Sequence, residues 1–385
     1  MRIAILTGGG DVPGLNPCIK AITLNAVRQG WDVLGFRRGW AGPLMFDPAN
    51  LDSSQDHLRH LTPDVVRTID RTGGTILHTS RTNPAKVKAK DLPAFLKGGE
   101  GLSSKDGVFD ATPHILRVLD TLKIDALVAI GGDDTLSYAA RLHREGFAVM
   151  AAPKTMDNDV FGTDYCMGFS TAVTRSLEAI EALRTPAGSH ERIAVVELFG
   201  RNSGETALIS GYLADADRTL ISEVPFDMEK LAALLAKDRA ANPSGYAMLV
   251  LSEGAQMQGG AIVEGGAADA YGHRKLGGIG EMVGAEIARL TGIGVLNQKL
   301  AYLMRSGAPD ILDRMVAKNY GTMLVQALAE GKRGLMAAIR EGVYTMVPVD
   351  ICIQGTRRVD VEALYDSAEY RPRISRIAAK PMFFY

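Results

Sequence analysis

Seven short stretches concentrate the residues able to do chemistry. IGGDDTL, 130–136, sets two glycines and two acids after the apolar run IDALVA. Glycines at a strand end followed by acids suit a meeting of phosphate and metal, with Gly132 allowing close approach and Asp133 as a cation ligand. The neighbouring Asp134 should repel a phosphate donor, so it requires a reason of its own. APKTMDND, 152–159, supplies Lys154, Thr155, Met156, Asp157 and Asp159. Alternate acids in a turn can simply be formers of side-chain-capped turns, but Asp157 could also take a proton from a hydroxyl. Two acidic clusters after two successive strands suit metal-assisted phosphoryl transfer, where positioning and charge neutralisation supply most of the catalysis.

The other stretches add glycines, cations and one more acid. LTGGGDVPGLNP, 6–17, runs from a strand through Gly8, Gly9 and Gly10 into a helix starting near Pro13 or Leu15. It is either a tight strand-to-helix turn or a cradle of backbone N–H groups for phosphate, and it lacks the GK[ST] of a Walker A loop. GGTILHTSRTNP, 73–84, places Arg81 after an apolar, strand-like run, as a functional cation or a solvated charge. In ERIAVVELFGRNSGETAL, 191–208, a strand delivers Phe199, Gly200 and Arg201 at its carboxyl end, and Arg201 can fork onto a phosphate or hydroxyls. Arg192 lies at the other end of that strand, ~25 Å away, so the two arginines cannot easily serve one site in one subunit. SEG, 252–254, ends another strand with Glu253, a site acid or a surface one. In LAYLMRSGAPDILDR, 300–314, Tyr302 and Arg305 flank Leu303 and Met304 and could present a phenol and a guanidinium to one phosphate; Tyr302 could equally be half-buried packing.

The elements that must position these residues alternate. Strand-like runs at 2–6, 32–36, 125–130, 147–153, 192–198 and 246–253 are separated by helical patterns at 17–29, 112–122, 170–183, 205–213, 228–239 and 280–290. Regular alternation predicts parallel sheets covered on both faces, with ligands at the carboxyl ends of the strands. The 385 residues imply two domains, and the absence of a Pro/Ser-rich linker implies that the chain crosses between them more than once. The glycine-rich segment 256–278 is expected to be an insertion or a mobile loop.

Composition excludes several classes. A net charge of −1 gives no global basic field for nucleic acid or an acidic membrane, so any anion site is local. Three scattered cysteines, Cys18, Cys166 and Cys352, point to reduced thiols in a cytoplasmic protein. No CxxC or HExxH pattern suggests zinc. The N-terminus does not read as a signal peptide, and no run approaches the ~20 apolar residues of a membrane span.

Taken in order, the seven stretches resemble those of the phosphofructokinase family, from Met1 to about residue 320. GGD, the TxDND core of PKTMDND and the GR after a VVE strand are specific in combination. The resemblance implies two Rossmann-like three-layer α/β/α domains with the active site in the cleft between them. It assigns 1–168 with about 304–352 to a donor domain binding pyrophosphate and Mg²⁺, and 169–303 with about 353–385 to a sugar-phosphate domain. It implies phosphoryl transfer to the 1-hydroxyl of fructose 6-phosphate, giving fructose 1,6-bisphosphate. Gly10 and Gly132 then meet the donor phosphates, Arg81 the transferred phosphoryl, and Asp133 the Mg²⁺. Asp157 is the general base, flanked by Thr155, Met156 and Asp159. Phe199, Gly200 and Arg201 match the sugar-contacting MGR segment, and Glu253 holds sugar hydroxyls. Arg192 matches an arginine donated to a neighbouring subunit's sugar phosphate, which implies a homodimer or homotetramer.

The second acid then has a meaning. ATP-using members of the family usually carry glycine in place of both Asp134 and Lys154, whereas GGDD with PKT resembles the pyrophosphate-using members. A carboxylate at Asp134 occupies and repels the place of an α-phosphate, and Lys154 adds a compact cation for the leaving phosphate. The family's GHLQRGG stands here as AYLMRSG, with Tyr302, Leu303, Met304 and Arg305 at the sugar-phosphate pocket and Lys299 as a stand-in for an upstream arginine. The alternatives are an ATP donor, or sedoheptulose 7-phosphate as acceptor. Lys20 and Leu24 replace two arginines of an allosteric effector site, so no such site is expected. The tail 355–380 is expected to pack as a helix on the second domain.

Overall fold

The strand-like runs are apolar on both faces because they are central parallel strands, covered by helices above and below. In the computed structural model, which describes residues 1–52, 54–97, 102–260, 264–265, 275–276, 278–374 and 377–378, the main strands are β1 (Arg2–Thr7), β2 (Asp32–Phe36), β3 (Leu58–His60), β4 (Ala126–Gly131), β5 (Val149–Pro153), β6 (Ile193–Leu198), β7 (Arg218–Leu220), β8 (Ala247–Ser252), β9 (Val295–Lys299), β10 (Leu335–Arg340) and β11 (Val343–Pro348). The helices that cover them are α1 (Leu15–Arg28), α2 (Thr112–Thr121), α3 (Asp133–Arg144), α4 (Phe169–Ser189), α5 (Glu205–Leu213), α6 (Met228–Ala241), α7 (Ile279–Thr291) and α8 (Ile311–Ala329). The larger sheet runs β11-β10-β5-β4-β1-β2-β3, parallel at its centre, with antiparallel β3 and β11 at its edges. The smaller runs β7-β8-β6-β9 and is wholly parallel.

Alternate residues of β1 feed two cores, as the period of two demands. Ile3 and Ile5 pack with Ile19 and Ile22 of α1 and Val316 and Tyr320 of α8. Ala4 and Leu6 pack with Ile115 and Leu119 of α2 and Leu136 and Ala139 of α3. The layers are therefore helix, sheet, helix, and the chain is an α/β protein of the expected class.

The expected elements are present with shifted ends. α1 begins at Leu15 after Gly14, whose φ of +120° suits a residue without a side chain. α4 continues through Pro186 to Ser189, past the expected end at 183. Arg81 does not follow a strand. Residues 73–83 form turns, with His78 at φ +57°, and the apolar character of the run serves packing, since Leu77 is fully buried. Beyond residue 290 the sequence reading missed β9, α8, β10 and β11, and β10 carries the chain back to pair with β5. α8 is tied down by a buried carboxylate: Asp313 accepts from the Tyr165 hydroxyl at 2.7 Å, and from the Gly168 and Thr171 amides at 2.8 Å each.

The tail is not the expected helix. Among its described residues it holds the single turn Val361–Leu364 and the two-residue strands Tyr365–Asp366 and Arg371–Pro372. The expected loop at 256–278 falls largely outside the described residues; within it Glu264–Gly265 pairs with Lys275–Leu276. No helix among the described residues is long and apolar enough to cross a membrane. The three cysteines are buried and unpaired with one another.

Candidate active site

Three of the chemical stretches leave one edge of the larger sheet side by side. β1, β4 and β5 are parallel neighbours, with Thr7 opposite Ile130 and Gly131 opposite Pro153, so Gly8–Gly10, Gly132–Asp134 and Lys154–Asp159 emerge together. Chain order reverses at β1, between β2 and β4, the position where open α/β sheets form a ligand crevice. Gly9, at φ +81°, donates its amide to the Ser80 carbonyl at 3.0 Å, and Thr79 donates its hydroxyl to the Gly9 carbonyl at 2.7 Å. These bonds fasten the segment carrying Arg81 to the glycine loop.

Lys154 is the central cation of this wall. It is only 4% exposed, and its Nζ donates to the Gly10 carbonyl at 2.7 Å. Burial, helped by the positive charge of Arg305, lowers its pKa to about 8. Asp133 and Asp134 are the first two residues of α3, so the positive end of the helix dipole stabilises both as carboxylates. Among the described residues no group of three or more His, Cys, Asp or Glu side chains could hold a metal ion unaided. A hard cation at Asp133 would therefore take most of its oxygen ligands from a phosphate and water, which is how Mg²⁺ is commonly bound.

The smaller sheet supplies the opposing wall. Leu198 and Ser252 are register partners, so Phe199–Arg201 and Glu253 leave β6 and β8 together. Gly200 stands at φ +142°, and a side chain there would strike Ser252. The amide of Arg201 donates to the Asp157 carboxyl, and Glu253 is close enough to raise the Asp157 pKa. The two walls meet at Asp157.

The turn carrying Asp157 is held from both sides. Thr155 donates its amide to the Met167 carbonyl at 3.1 Å, and its hydroxyl accepts the Asp157 amide at 3.2 Å. Thr206, on α5, donates its hydroxyl to the Met156 carbonyl at 2.9 Å. Asp157 is half-buried, and its Oδ1, itself shut off from solvent, has no hydrogen-bond partner. Burial first, then the negative charge of Glu253, push its pKa up to about 7, against the pull of the Arg201 amide and Lys154. Burial and the charges of Asp157 and Asp133 push Asp159 up to about 8. Burial likewise raises Glu253 to about 7, opposed by Lys299, Arg201 and Arg81. An unpartnered carboxylate oxygen poised near neutrality is what a general base needs.

The remaining expected residues fall in different places. Met304 is fully buried, and its sulfur accepts the Phe199 amide at 3.2 Å, so it supports the FGR segment from behind. Tyr302 and Leu303 are each 62% exposed. Tyr302 and Arg305 lie against one another. The guanidinium lies 4.7 Å over the Tyr302 ring and 5.9 Å from the Phe199 ring, because a planar cation stacks well on aromatic faces. Its Nε is 3.6 Å from Asp11, and a side chain at Gly10 would collide with its Nη1. Arg305 thus reaches across to the glycine loop. Lys299 pairs with the buried Glu197 at 2.8 Å, and Glu197 also accepts the Gly280 amide at 2.8 Å. Arg192 precedes β6 whereas Arg201 follows it, so they lie at opposite ends of the strand.

Three contributors escaped the sequence reading: Asn158, Glu205 and Arg357. Asn158 is fully buried at φ +54°, its Oδ1 accepting the Cys166 amide at 2.7 Å and its Nδ2 donating to Glu205 at 2.9 Å. The αL tolerance of asparagine was a legible signal; the partners of Glu205 and Arg357 were not.

Comparison with known proteins agrees with this architecture. Residues 2–328 match the family model described as Phosphofructokinase. The chain is 40% identical over 344 residues to the pyrophosphate–fructose 6-phosphate 1-phosphotransferase of Amycolatopsis methanolica, a match covering 88% of this chain and 91% of that one. It is 37% identical over 353 residues to an ATP-dependent 6-phosphofructokinase of Chloroflexus aggregans, covering 90% of each. Its fold superimposes on phosphofructokinase from Saccharomyces cerevisiae with a TM-score of 0.74 at 23% identity, over 92% of this chain and 45% of that longer one. The chain belongs to the phosphofructokinase family.

Proposed function

We propose that this protein reversibly transfers a phosphoryl group from pyrophosphate to the 1-hydroxyl of fructose 6-phosphate, giving fructose 1,6-bisphosphate and phosphate. The observation that carries the reading is the buried, unpartnered Asp157 Oδ1 between two phosphate-compatible walls, one of them centred on a buried lysine. Asp157 takes the proton as the sugar oxygen attacks; the new P–O bond forms as the bond to the leaving phosphate breaks. Lys154 and Arg305 neutralise charge on the donor and leaving phosphate, with Gly10 and Gly132 admitting it to the backbone, and Arg81 meets the transferring group. A Mg²⁺ ion at Asp133 would supply further charge neutralisation on the donor oxygens. Thr155, Asp159, Phe199, Gly200, Arg201 and Glu253 form the sugar side, with Tyr302 and Met304 as supports.

The donor assignment rests on Asp134 and Lys154. A carboxylate at the head of α3 opposes the additional phosphate of a nucleotide, and the ammonium fixed on the Gly10 carbonyl suits a small, compact donor. The name carried by the relative at 40% identity supports the same reading. The larger sheet with 304–352 forms the donor domain, and 169–303 with 353–385 the sugar domain. Arg192 serves a neighbouring subunit, which requires at least a homodimer. The buried, reduced cysteines suit a cytoplasmic setting. The ATP-dependent name of a relative at 37% identity favours a second reading, an ATP donor. Initial rates with Mg²⁺ and fructose 6-phosphate, comparing pyrophosphate with ATP, separate the two. Turnover with pyrophosphate alone is expected, and turnover with ATP alone would overturn the role given to Asp134.

A further inference from the structure

Part of the tail lies on the catalytic turn. Thr356 bridges Val160 in antiparallel fashion. The Arg357 amide donates to the Asp159 carbonyl at 2.9 Å. The Arg357 side chain then reaches inward: Nη1 donates to the Asn158 carbonyl at 3.1 Å and also to Glu205 Oε2. Glu205 is the first residue of α5 and is wholly buried, and its other oxygen takes the Asn158 side-chain amide at 2.9 Å. Asn158 is thus held through both its carbonyl and its side chain by one ion pair whose carboxylate is buried. Its left-handed backbone is a conformation that persists only where the surroundings over-determine it. Its immediate neighbours in sequence are Asp157 and Asp159.

The three partners come from different parts of the chain. Asn158 follows β5 of the larger sheet, Glu205 opens a helix packed on the smaller sheet, and Arg357 belongs to the tail. Each wall of the site is therefore referenced to the other at the residue beside the base. We propose that Arg357, acting through Asn158 and Glu205, is a positioning residue that sets the place of Asp157 for proton removal. The proposal rests on the reading of Asp157 as general base. A displacement of about 1 Å in such a group is enough to cost roughly 10²-fold in rate. Most of the proposed substrate contacts, among them Arg201, Glu253 and Arg305, lie outside this turn, so substrate binding should change little.

The test uses the full chain and three variants, Arg357→Met, Arg357→Lys and Arg357→Met with Glu205→Gln. Steady-state kinetics and amide hydrogen exchange are measured on each. Arg357→Met is expected to lower kcat by ~10–10²-fold with both KM values within about 3-fold of wild type. Exchange in peptides spanning 155–167 should quicken by ~10-fold while peptides from β1 and β4 stay unchanged. Arg357→Lys should recover most of kcat, since the bonds to the Asn158 carbonyl and to Glu205 come from one nitrogen that an ammonium can replace. The double variant removes the orphaned buried charge of Glu205 but not the lost Asn158 contact, so it should stay slow. A kcat for Arg357→Met within about 2-fold of wild type, a change in KM alone, or faster exchange spread over both sheets would overturn the proposal. If wild-type protein transfers phosphoryl from neither donor, the reading of the reaction falls, and the exchange pattern still decides whether Arg357 holds the turn.

Discussion

The two walls of the site are built from different materials. The wall on the larger sheet is mostly backbone and cation: a glycine loop, a helix N-terminus and Lys154 clamped to the Gly10 carbonyl. Its parts sit at the ends of three adjacent strands, each within a few residues of the strand end. The wall on the smaller sheet is mostly side chain. Glu253, Arg201, Lys299 and the edge-to-face pair Tyr302 and Phe199 come from separated segments, and several are engaged with one another. A wall of backbone groups can bind any phosphate of suitable size, so it selects by charge and space. A wall of side chains selects by the pattern of hydroxyls it pairs. On the proposed reading, donor choice and sugar choice are separable properties, joined at Asp157.

The largest expected effect breaks the junction itself. Asp157→Ala should lower kcat by ~10²–10⁴-fold, while calorimetric titration still registers fructose 6-phosphate binding. Next comes the proposed donor wall: Lys154→Met removes the buried ammonium held on the Gly10 carbonyl. Pyrophosphate-dependent kcat should fall by ~10²–10³-fold with the KM for the sugar little changed, as measured by initial rates against each substrate. If the sugar KM moves instead, the walls are not separable. Arg192→Ala probes the sugar side from the far end of β6. It should raise the KM for the sugar phosphate by ~10-fold or more with kcat kept, the loss of one charge-assisted contact, and a monomer with full activity would end the shared-site reading.

The smallest effect concerns stability. The Asp157 carboxyl ordinarily titrates near 3.8 and is raised to about 7 in the fold, so the folded protein binds its proton more tightly than the unfolded chain. The resulting penalty is absent below about pH 4, grows as pH rises and is complete above about 7. Asp157→Asn should therefore melt a few degrees higher than wild type at pH 8, and the gap should close toward pH 4 in thermal melts. The same proton must be absent for catalysis, so turnover should rise with pH through the region of 7. If both outcomes hold, Asp157 is a residue where function costs stability.

The donor wall was legible in the sequence because its chemistry is local. LTGGGD, IGGDDT and APKTMDND each join a strand to its ligand-facing turn within a handful of residues, and parallel pairing then aligns them. The sugar wall was legible only as a set of members. That Lys299 answers to Glu197, that Met304 faces inward, and that Arg305 stacks on Tyr302 and reaches Gly10 are matters of which surfaces meet. Arg81 was expected after a strand and stands instead on turns tied to Gly9, since one buried leucine looks the same in either setting.

What the sequence determined by itself is the class and the candidate reacting groups. Apolar runs alternating with helical patterns require covered parallel sheets, and the strand ends then dictate where ligands sit. What only the tertiary structure decided is how these groups are held and charged. The raised pKa of Asp157 arises from burial and from Glu253, ninety-odd residues away in the chain. The clamp on Asn158 comes from Arg357, about two hundred residues on. Desolvation and Coulomb interaction act over a few ångströms of space and take no account of chain separation, so no local reading of residues could supply them.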